Sequence, residues 1–600
     1  MRAVVYGVAD AGGWRWVVSI APEADALWWK RQGADRVWLF GGGRRLSFGQ
    51  AVELRERLER ECPGGPGEAG SGAWVSLREA FGVPTAGWML DEPAYERWVR
   101  RLEGRLLLRE EIEAMLDRPE PWTPLAQWGA LEGRLRLRRG AERDGAADAG
   151  AGAVRGWLRR WLRGWRGRGR GKAGRWARYR CVRCGFGLEA PLPLADCAVC
   201  GEPCPYCEAC LTMGRVRFCA LLVQGVGGGS SGAGSGSASA VRPLGAGGWG
   251  LSPAQAEAAS AALDFLGRPG GGSFLLWAVT GAGKTETMFP LVERTLRAGG
   301  RALVATPRKD VVLELVPRFR AAFPAERVVA LYGGSEDRWA SGSLTIATTH
   351  QLFRFREAFD LVVLDEVDAF PYRGDAQLAF AAEGAARRGG KFVLLSATPP
   401  AELREAARRG RLPHAKVCVR FHGRPLPVPR RLALPPLRRW KDAAPPPALR
   451  EAIAASLRRG AQLFVFVPHI AVADAVARLL RAAFPEAPVA GTSSKDEERA
   501  AKVQAFRDGG LRIIVSTTIL ERGVTVPKTD VFILDADSSL FDDASLVQMA
   551  GRAGRKREEP DGNVYFCSSE WTSSQRQAIR DIRAMNALAR KKGYLTHEGR

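Results

Sequence analysis

The run Thr280-Gly281-Ala282-Gly283-Lys284-Thr285 follows a strand-like FLLWAV and leads into a helical stretch, the setting in which a chain can hold a phosphate. The glycines let backbone N–H groups curl around the anion, and the helix N-terminus adds partial positive charge. Lys284 would reach the β- and γ-phosphates, and Thr285 offers a hydroxyl to Mg²⁺. Ala278 stands where the first glycine of G-x-x-x-x-G-K-[ST] is usual, so other motifs must carry part of the case. LVVLDEVD places Asp365 and Glu366 at the end of a second strand-like run. Asp365 suits Mg²⁺ through water, and Glu366 suits orienting or deprotonating the attacking water. KFVLLSAT ends in Ser396 and Thr398, hydroxyls expected to hydrogen-bond that acidic pair. QMAGRAGR supplies Gln548, Arg552 and Arg555, the two arginines as fingers for a γ-phosphate held by another lobe. A nucleotide site shared by two lobes should close on ATP and open after hydrolysis.

The second chemical signal is sulfur. Eight of eleven cysteines lie in CVRCGFGLEAPLPLADCAVCGEPCPYCEACLTMGRVRFC. In a reducing compartment such spacing points to metal ligation rather than disulfides. Cys181, Cys184, Cys197 and Cys200 suit one tetrahedral zinc, and Cys204, Cys207, Cys210 and Cys219 a second. An interleaved set, such as Cys181/Cys184 with Cys207/Cys210, fits equally well. One or two Zn²⁺ ions are expected, with an iron–sulfur cluster as the alternative that four thiolates also serve. The segment reads as a metal staple, with any DNA contact left to Arg183, Arg215 and Arg217. Cys62, Cys418 and Cys567 are scattered and read as small buried apolar residues.

Positioning these groups takes several domains, which 600 residues allow. With 46% hydrophobic and 26% charged residues, wholesale disorder is excluded. No apolar run reaches the roughly 18 residues of a membrane span. The opening lacks a secretory signal pattern, so a cytoplasmic location is expected. The net charge of +24 points to a polyanionic partner. Residues 155–180 supply ten Arg and one Lys with no acid, and Trp157, Trp161 and Trp165 recur every four residues. That arm is either a solvated linker or a basic, Trp-bearing arm for a nucleic-acid strand or acidic lipid. The expected organisation is an accessory region at 1–130, the arm within 131–180, a cysteine module at 181–225 and a Gly/Ser linker at 226–248. Beyond it, apolar β-branched runs alternate with Ala/Arg/Glu/Leu-rich stretches, which argues for parallel βαβ units in two α/β lobes. These span 249–424 and 451–600, joined by a Pro/Arg-rich linker at 425–450.

LSPAQ, AVTGAGKTE, ATPRKD, TTHQL, DEVD, SAT, STTILERGVTVP and QMAGRAGR, in that order, resemble the motif series of superfamily 2 helicases. Narrower matches, among them TPRKDVVLEL, LYGGSED, DEVDAFPY and FHGRPLPVP behind a cysteine-rich segment, resemble the late competence ComFA family. The resemblance implies two tandem RecA-like lobes and an ATPase that drives transforming single-stranded DNA through a membrane channel into the cytoplasm. Its implied partners are that channel and other competence proteins at the inner face of the membrane, and an oligomer is compatible with it. It also implies that Gln255 reads adenine and that Ser396, Thr398 and Gln548 couple hydrolysis to movement. Thr306, Arg308, Gly333, Gly334, Thr349, His350, Thr517 and Thr518 would grip the DNA backbone. The rival functions are a primosomal or repair helicase of the same superfamily and a zinc-bearing nucleic-acid-binding protein with a regulatory nucleotide site.

Overall fold

The computed structural model describes the chain outside residues 11–12, 67–71, 82–87, 117–120, 144–178, 188–190, 228–245, 370–373, 441–443, 521–525, 556–560 and 597–600. The arm with Trp157, Trp161 and Trp165 and most of the Gly/Ser linker therefore lie outside the described residues.

The apolar runs of the second half form strands buried on both faces, as parallel sheets require. The first lobe has seven parallel strands in the order Val328–Leu331, Leu344–Thr348, Ala302–Thr306, Phe359–Leu364, Ala386–Ser396, Gly272–Ala278, His414–Val417. This order divides the work of the lobe. The phosphate loop, the acidic pair and the Ser-Ala-Thr turn follow Gly272–Ala278, Phe359–Leu364 and Ala386–Ser396, three strands adjacent in the sheet. The segments carrying Thr306 and Arg308, Gly333 and Gly334, and Thr349 and His350 follow the three strands on its other side. In open parallel sheets, ligands gather beyond the carboxyl ends of strands, and here the two groups of candidate residues share one such edge. The second lobe has six parallel strands. Arg430–Ala433 pairs with Val564–Ser568, so part of the stretch expected as interlobe linker is the edge strand of that sheet.

The accessory region contains an antiparallel sheet that includes Arg2–Asp10, Gly13–Ser19, Arg36–Phe40 and Gly72–Ser76. Three segments distant in sequence, Leu106–Leu108, Leu221–Gly225 and Leu135–Arg139, form another, with Leu221–Gly225 in the middle. The cysteine module thus ends inside the accessory fold, because the apolar Leu221, Leu222 and Val223 are buried there. A buried ion triad ties both to the motor. The Glu111 carboxylate accepts from Arg183 Nη2 at 2.7 and 2.8 Å and from Arg354 Nε at 2.8 Å. Arg183 also donates to Phe353 O and Met213 O. It is fully buried, which removes it from the DNA contacts expected of the module.

Asp25 lies fully buried in the accessory region, accepting from Tyr6 Oη at 2.5 Å, Gln127 Nε2 at 2.9 Å and Ser19 Oγ at 2.5 Å. Desolvation raises its carboxyl from 3.8 to about 7 against those hydrogen bonds. The folded chain therefore holds this proton more tightly than the unfolded chain, and stability should fall as pH rises through that window. Thermal melting at pH 4.5 and pH 8 should show the accessory region losing stability with pH, and Asp25→Asn should flatten that dependence.

Candidate functional site

The phosphate loop is pinned from outside. Gln255 Nε2 donates to the carbonyls of Ala282 at 2.9 Å and Gly283 at 3.0 Å, and its Oε1 accepts from Ser252 N at 2.8 Å. Gly283 has φ 74°, strained for any side chain, and a Cβ there would lie 2.2 Å from Gln255 Nε2 and displace it from the loop. Lys284 opens the helix Lys284–Arg297, while Thr280 and Thr285 are buried beside it.

Across the loop, Asp365 N donates to Ala305 O at 2.8 Å, and Asp365 Oδ1 accepts from Glu366 N at 2.9 Å. Glu366 has φ 54°, a left-handed conformation that costs an ordinary side chain about 1–3 kcal/mol and is kept where the surroundings impose it. The hydroxyls of the Ser-Ala-Thr turn do not bond this acidic pair as the spacing led us to expect. Ser396 Oγ donates to Asp368 Oδ1 at 2.6 Å and Thr398 Oγ1 to Asp368 Oδ2 at 2.7 Å. Asp365 continues the strand direction, whereas Asp368 lies in the turn that brings the chain back over Ser396. Thr398 Oγ1 in turn accepts from Gln548 Nε2 of the second lobe at 3.2 Å, giving a relay Gln548–Thr398–Asp368 across the interface.

The second lobe rests on the phosphate loop. A Cβ on Gly551 would lie 2.0 Å from Thr280 Oγ1. Arg552 is buried just beyond, and Arg555 approaches Gly281 within 3.5 Å of where its Cβ would be. Sequence reasoning missed a third arginine, Arg420, at 3.6 Å from the same point. It is fully buried; Nη1 donates to Gly554 O at 2.5 Å, while Nε and Nη2 have no hydrogen-bond partner among the described residues. Desolvation, with Arg555 repelling it, lowers its guanidinium to about 9. Burial lowers Arg555 too, opposed by Glu314 and Glu366. Clustered, desolvated guanidinium groups facing a phosphate loop are a site short of anionic charge. Arg420 immediately precedes FHGRPLPVP, at the end of KVCVR, where a single basic residue after an apolar run carries no signal of its own.

On the other half of the first sheet, Thr306 and Thr349 are buried, with Oγ1 atoms unpartnered among the described residues. Gly334 has φ 85°, and His350 is exposed. Lys309 lies 4.8 Å over the Tyr332 ring and reaches Gly333 O at 3.5 Å. In the second lobe Thr517 is buried and Thr518 half-buried, just past the strand Ile513–Ser516.

The cysteines divide into interleaved sets, Cys181, Cys184, Cys207 and Cys210, and Cys197, Cys200, Cys204 and Cys219, with the sulfurs of each within 4.8 Å of one another. Cys184 and Cys207 are 3.4 Å apart, Cys197 and Cys219 3.5 Å, and Cys181 and Cys210 3.8 Å. A tetrahedron with Zn–S of about 2.3 Å has edges of about 3.8 Å, so both sets fit a tetrahedral metal. Interleaving makes each site span the module, which a short segment with little apolar core needs.

Three family models match in order: the Competence protein ComFA N-terminal domain at 170–224, the DEAD/DEAH box helicase at 252–406 and the Helicase conserved C-terminal domain at 446–557. The competence protein ComFA of Bacillus subtilis (strain 168) is 39% identical over 418 residues, covering 69% of this chain and 87% of that protein. The chain belongs to the ComFA family. The ComFA of Streptococcus pneumoniae is 40% identical over 316 residues, covering 52% of this chain and 73% of that one. The replication restart protein PriA of Bacillus subtilis is 28% identical over 151 residues, 23% of this chain and 19% of PriA. This ComFA protein is thus a competence-related, ATP-hydrolysing helicase or translocase with two RecA-like lobes. Among the described residues, no helix is long and apolar enough to cross a membrane.

Elemental analysis of the purified chain should find two zinc ions. Cys184→Ser and Cys197→Ser should each lower the count to one, since they fall in different sets; iron with visible absorbance would contradict the zinc assignment.

Proposed function

We propose that this ComFA protein is a single-stranded DNA translocase that uses ATP hydrolysis to power DNA uptake in natural transformation. The observation that carries this is the contact of Gly551 with Thr280 of the phosphate loop, with Arg420 and Arg555 against Gly281; the loops proposed to hold a strand lie on the same sheet edge.

In this account the loop N–H groups and Lys284 bind the β- and γ-phosphates, while Thr285 and Asp365 hold Mg²⁺. Glu366 orients the attacking water and takes its proton. Arg552 and Arg555, with Arg420 beside them, stabilise negative charge on the transferring phosphoryl group. The base lies near Gln255 in a cavity of about 340 Å³ lined by Ser252, Pro253, Phe421, His422 and Tyr594. Thr306, Arg308, Gly333, Gly334, Thr349 and His350 of one lobe and Thr517 and Thr518 of the other hold the strand backbone. Loss of the γ-phosphate releases the arginines, the Gln548–Thr398–Asp368 relay breaks, and the lobes part while each keeps its hold on a different stretch of the strand. Zinc in the two cysteine sets would supply charge compensation and rigidity to the module, not chemistry at the phosphate. A membrane DNA channel and other competence proteins are the partners this role requires.

The purified protein should hydrolyse ATP faster with single-stranded DNA than with duplex DNA or RNA, and Lys284→Ala should abolish hydrolysis in a phosphate-release assay. Equal stimulation by RNA would contradict the DNA assignment, and strand displacement on a forked duplex without a transformation defect on deletion would favour a repair-type helicase.

A further inference from the structure

A cavity of about 540 Å³ lies where the accessory region, the cysteine module and the first lobe meet, far along the sheet from the nucleotide site. Its motor-side wall comes from Arg356, Glu357 and Arg388. These flank the amino ends of Phe359–Leu364 and Ala386–Ser396, whereas the phosphate loop, acidic pair and Ser-Ala-Thr turn sit at carboxyl ends. The opposite wall is the strand Leu135–Arg139, whose period-two alternation puts Arg136 and Arg138 on one face.

Eight arginines line this cavity against three glutamates, with no lysine or aspartate. The acids neutralise it only in part: Arg138 pairs with Glu142 at 2.8 Å, Arg15 with Asp10 at 3.0 Å and Arg55 with Glu59 at 3.4 Å, but one carboxylate serves both arginines of the mouth. Glu357 is shared by Arg136 at 3.7 Å and Arg388 at 3.8 Å, both long contacts, and those arginines are 52% and 72% exposed at the mouth. Deeper in, Arg139 is almost fully buried. Its Nη2 bonds Glu56 at 2.8 Å, but Nε and Nη1 have no hydrogen-bond partner among the described residues. Its guanidinium also lies 5.8 and 5.5 Å over the Tyr179 and Phe218 rings, so this arginine is packed inside the fold and the charge offered at the cavity comes from the arginines of the mouth. On the motor side the guanidinium groups of Arg356 and Arg180 stand 5.0 and 5.9 Å over the Phe380 ring, which also packs against Gly185. The exposed arginines at the mouth, which outnumber the one carboxylate they share, suit a phosphate-bearing chain.

We infer that this cavity is a second strand site, which takes the phosphates of a short stretch of single-stranded DNA away from the motor's own contact loops. The inference rests on the chain being a single-strand translocase. Its role would be to hold the strand while the lobes are open, since it uses one lobe and so does not depend on closure.

The test is the salt dependence of binding of the full chain to fluorescein-labelled dT30 by anisotropy, without nucleotide. Each phosphate contact on a single strand contributes about −0.7 to the slope of log K against log[salt]. Arg136→Gln with Arg388→Gln should make the slope shallower by about 1 to 1.4, weaken binding, and leave basal ATP hydrolysis and thermal melting unchanged. The paired Lys substitutions, which keep the charges, should restore the slope. A slope equal to wild type in the Gln double variant would overturn this site while leaving the translocase assignment standing. Failure of the wild-type chain to bind dT30 at all would overturn both.

Discussion

Gly551 is the point on which the two-lobe arrangement turns. No side chain fits between the end of the helix Asp543–Ala550 and Thr280 of the phosphate loop, since even a Cβ would come within 2.0 Å of the hydroxyl. The second lobe therefore rests on the loop itself. That contact delivers Arg552 and Arg555 to the site, and, three residues before Gly551, lets Gln548 reach Thr398. It also creates an electrostatic problem. Desolvation lowers the guanidinium groups of both Arg420 and Arg555, and the charge of Arg555 lowers that of Arg420 further. A polyphosphate between the lobes removes that penalty, so closure and nucleotide binding favour each other, and loss of the γ-phosphate weakens both.

The consequences spread along the first sheet. One trio of adjacent strands ends in the nucleotide groups and the neighbouring trio in the loops proposed to hold DNA, so a shift at one is felt at the other through a shared, fully buried layer. The accessory region is attached to the second trio. Glu111 holds Arg354, the last residue of the short helix Thr349–Arg354, and also Arg183, the residue before Cys184. The cysteine module and a segment proposed to contact DNA thus share one buried carboxylate, which fixes the appendage to the first lobe.

Where a function is built from a strand, its following loop and the next helix, it was legible in the sequence. The phosphate loop, LVVLDE and KFVLLSAT all appear where their apolar runs and terminal polar residues place them. Legibility ended where partners are chosen in three dimensions. Ser396 and Thr398 select Asp368 over Asp365 and Glu366, a choice made by the path of a turn. Cys181 and Cys184 take Cys207 and Cys210 rather than the nearer Cys197 and Cys200, a choice that spacing alone left open. Arg183 beside the cysteines looked like a surface contact and is a buried ion-triad member. The accessory sheet joins strands from 106, 135 and 221, a non-local pairing with no periodic signature in any one segment. Arg420 shows itself only through the loop it lies against.

In the proposed mechanism the state of the phosphate site reaches the strand through the relay from Gln548 to Thr398 to Asp368. Comparing ATP hydrolysis by wild type and Thr398→Val, with and without single-stranded DNA, tests it most directly. The substitution removes the hydroxyl through which Gln548 of the second lobe meets Asp368 of the first, and touches neither Lys284 nor Glu366. The account predicts that basal hydrolysis stays within a few-fold of wild type while stimulation by DNA collapses towards none; undiminished stimulation in the variant would contradict it.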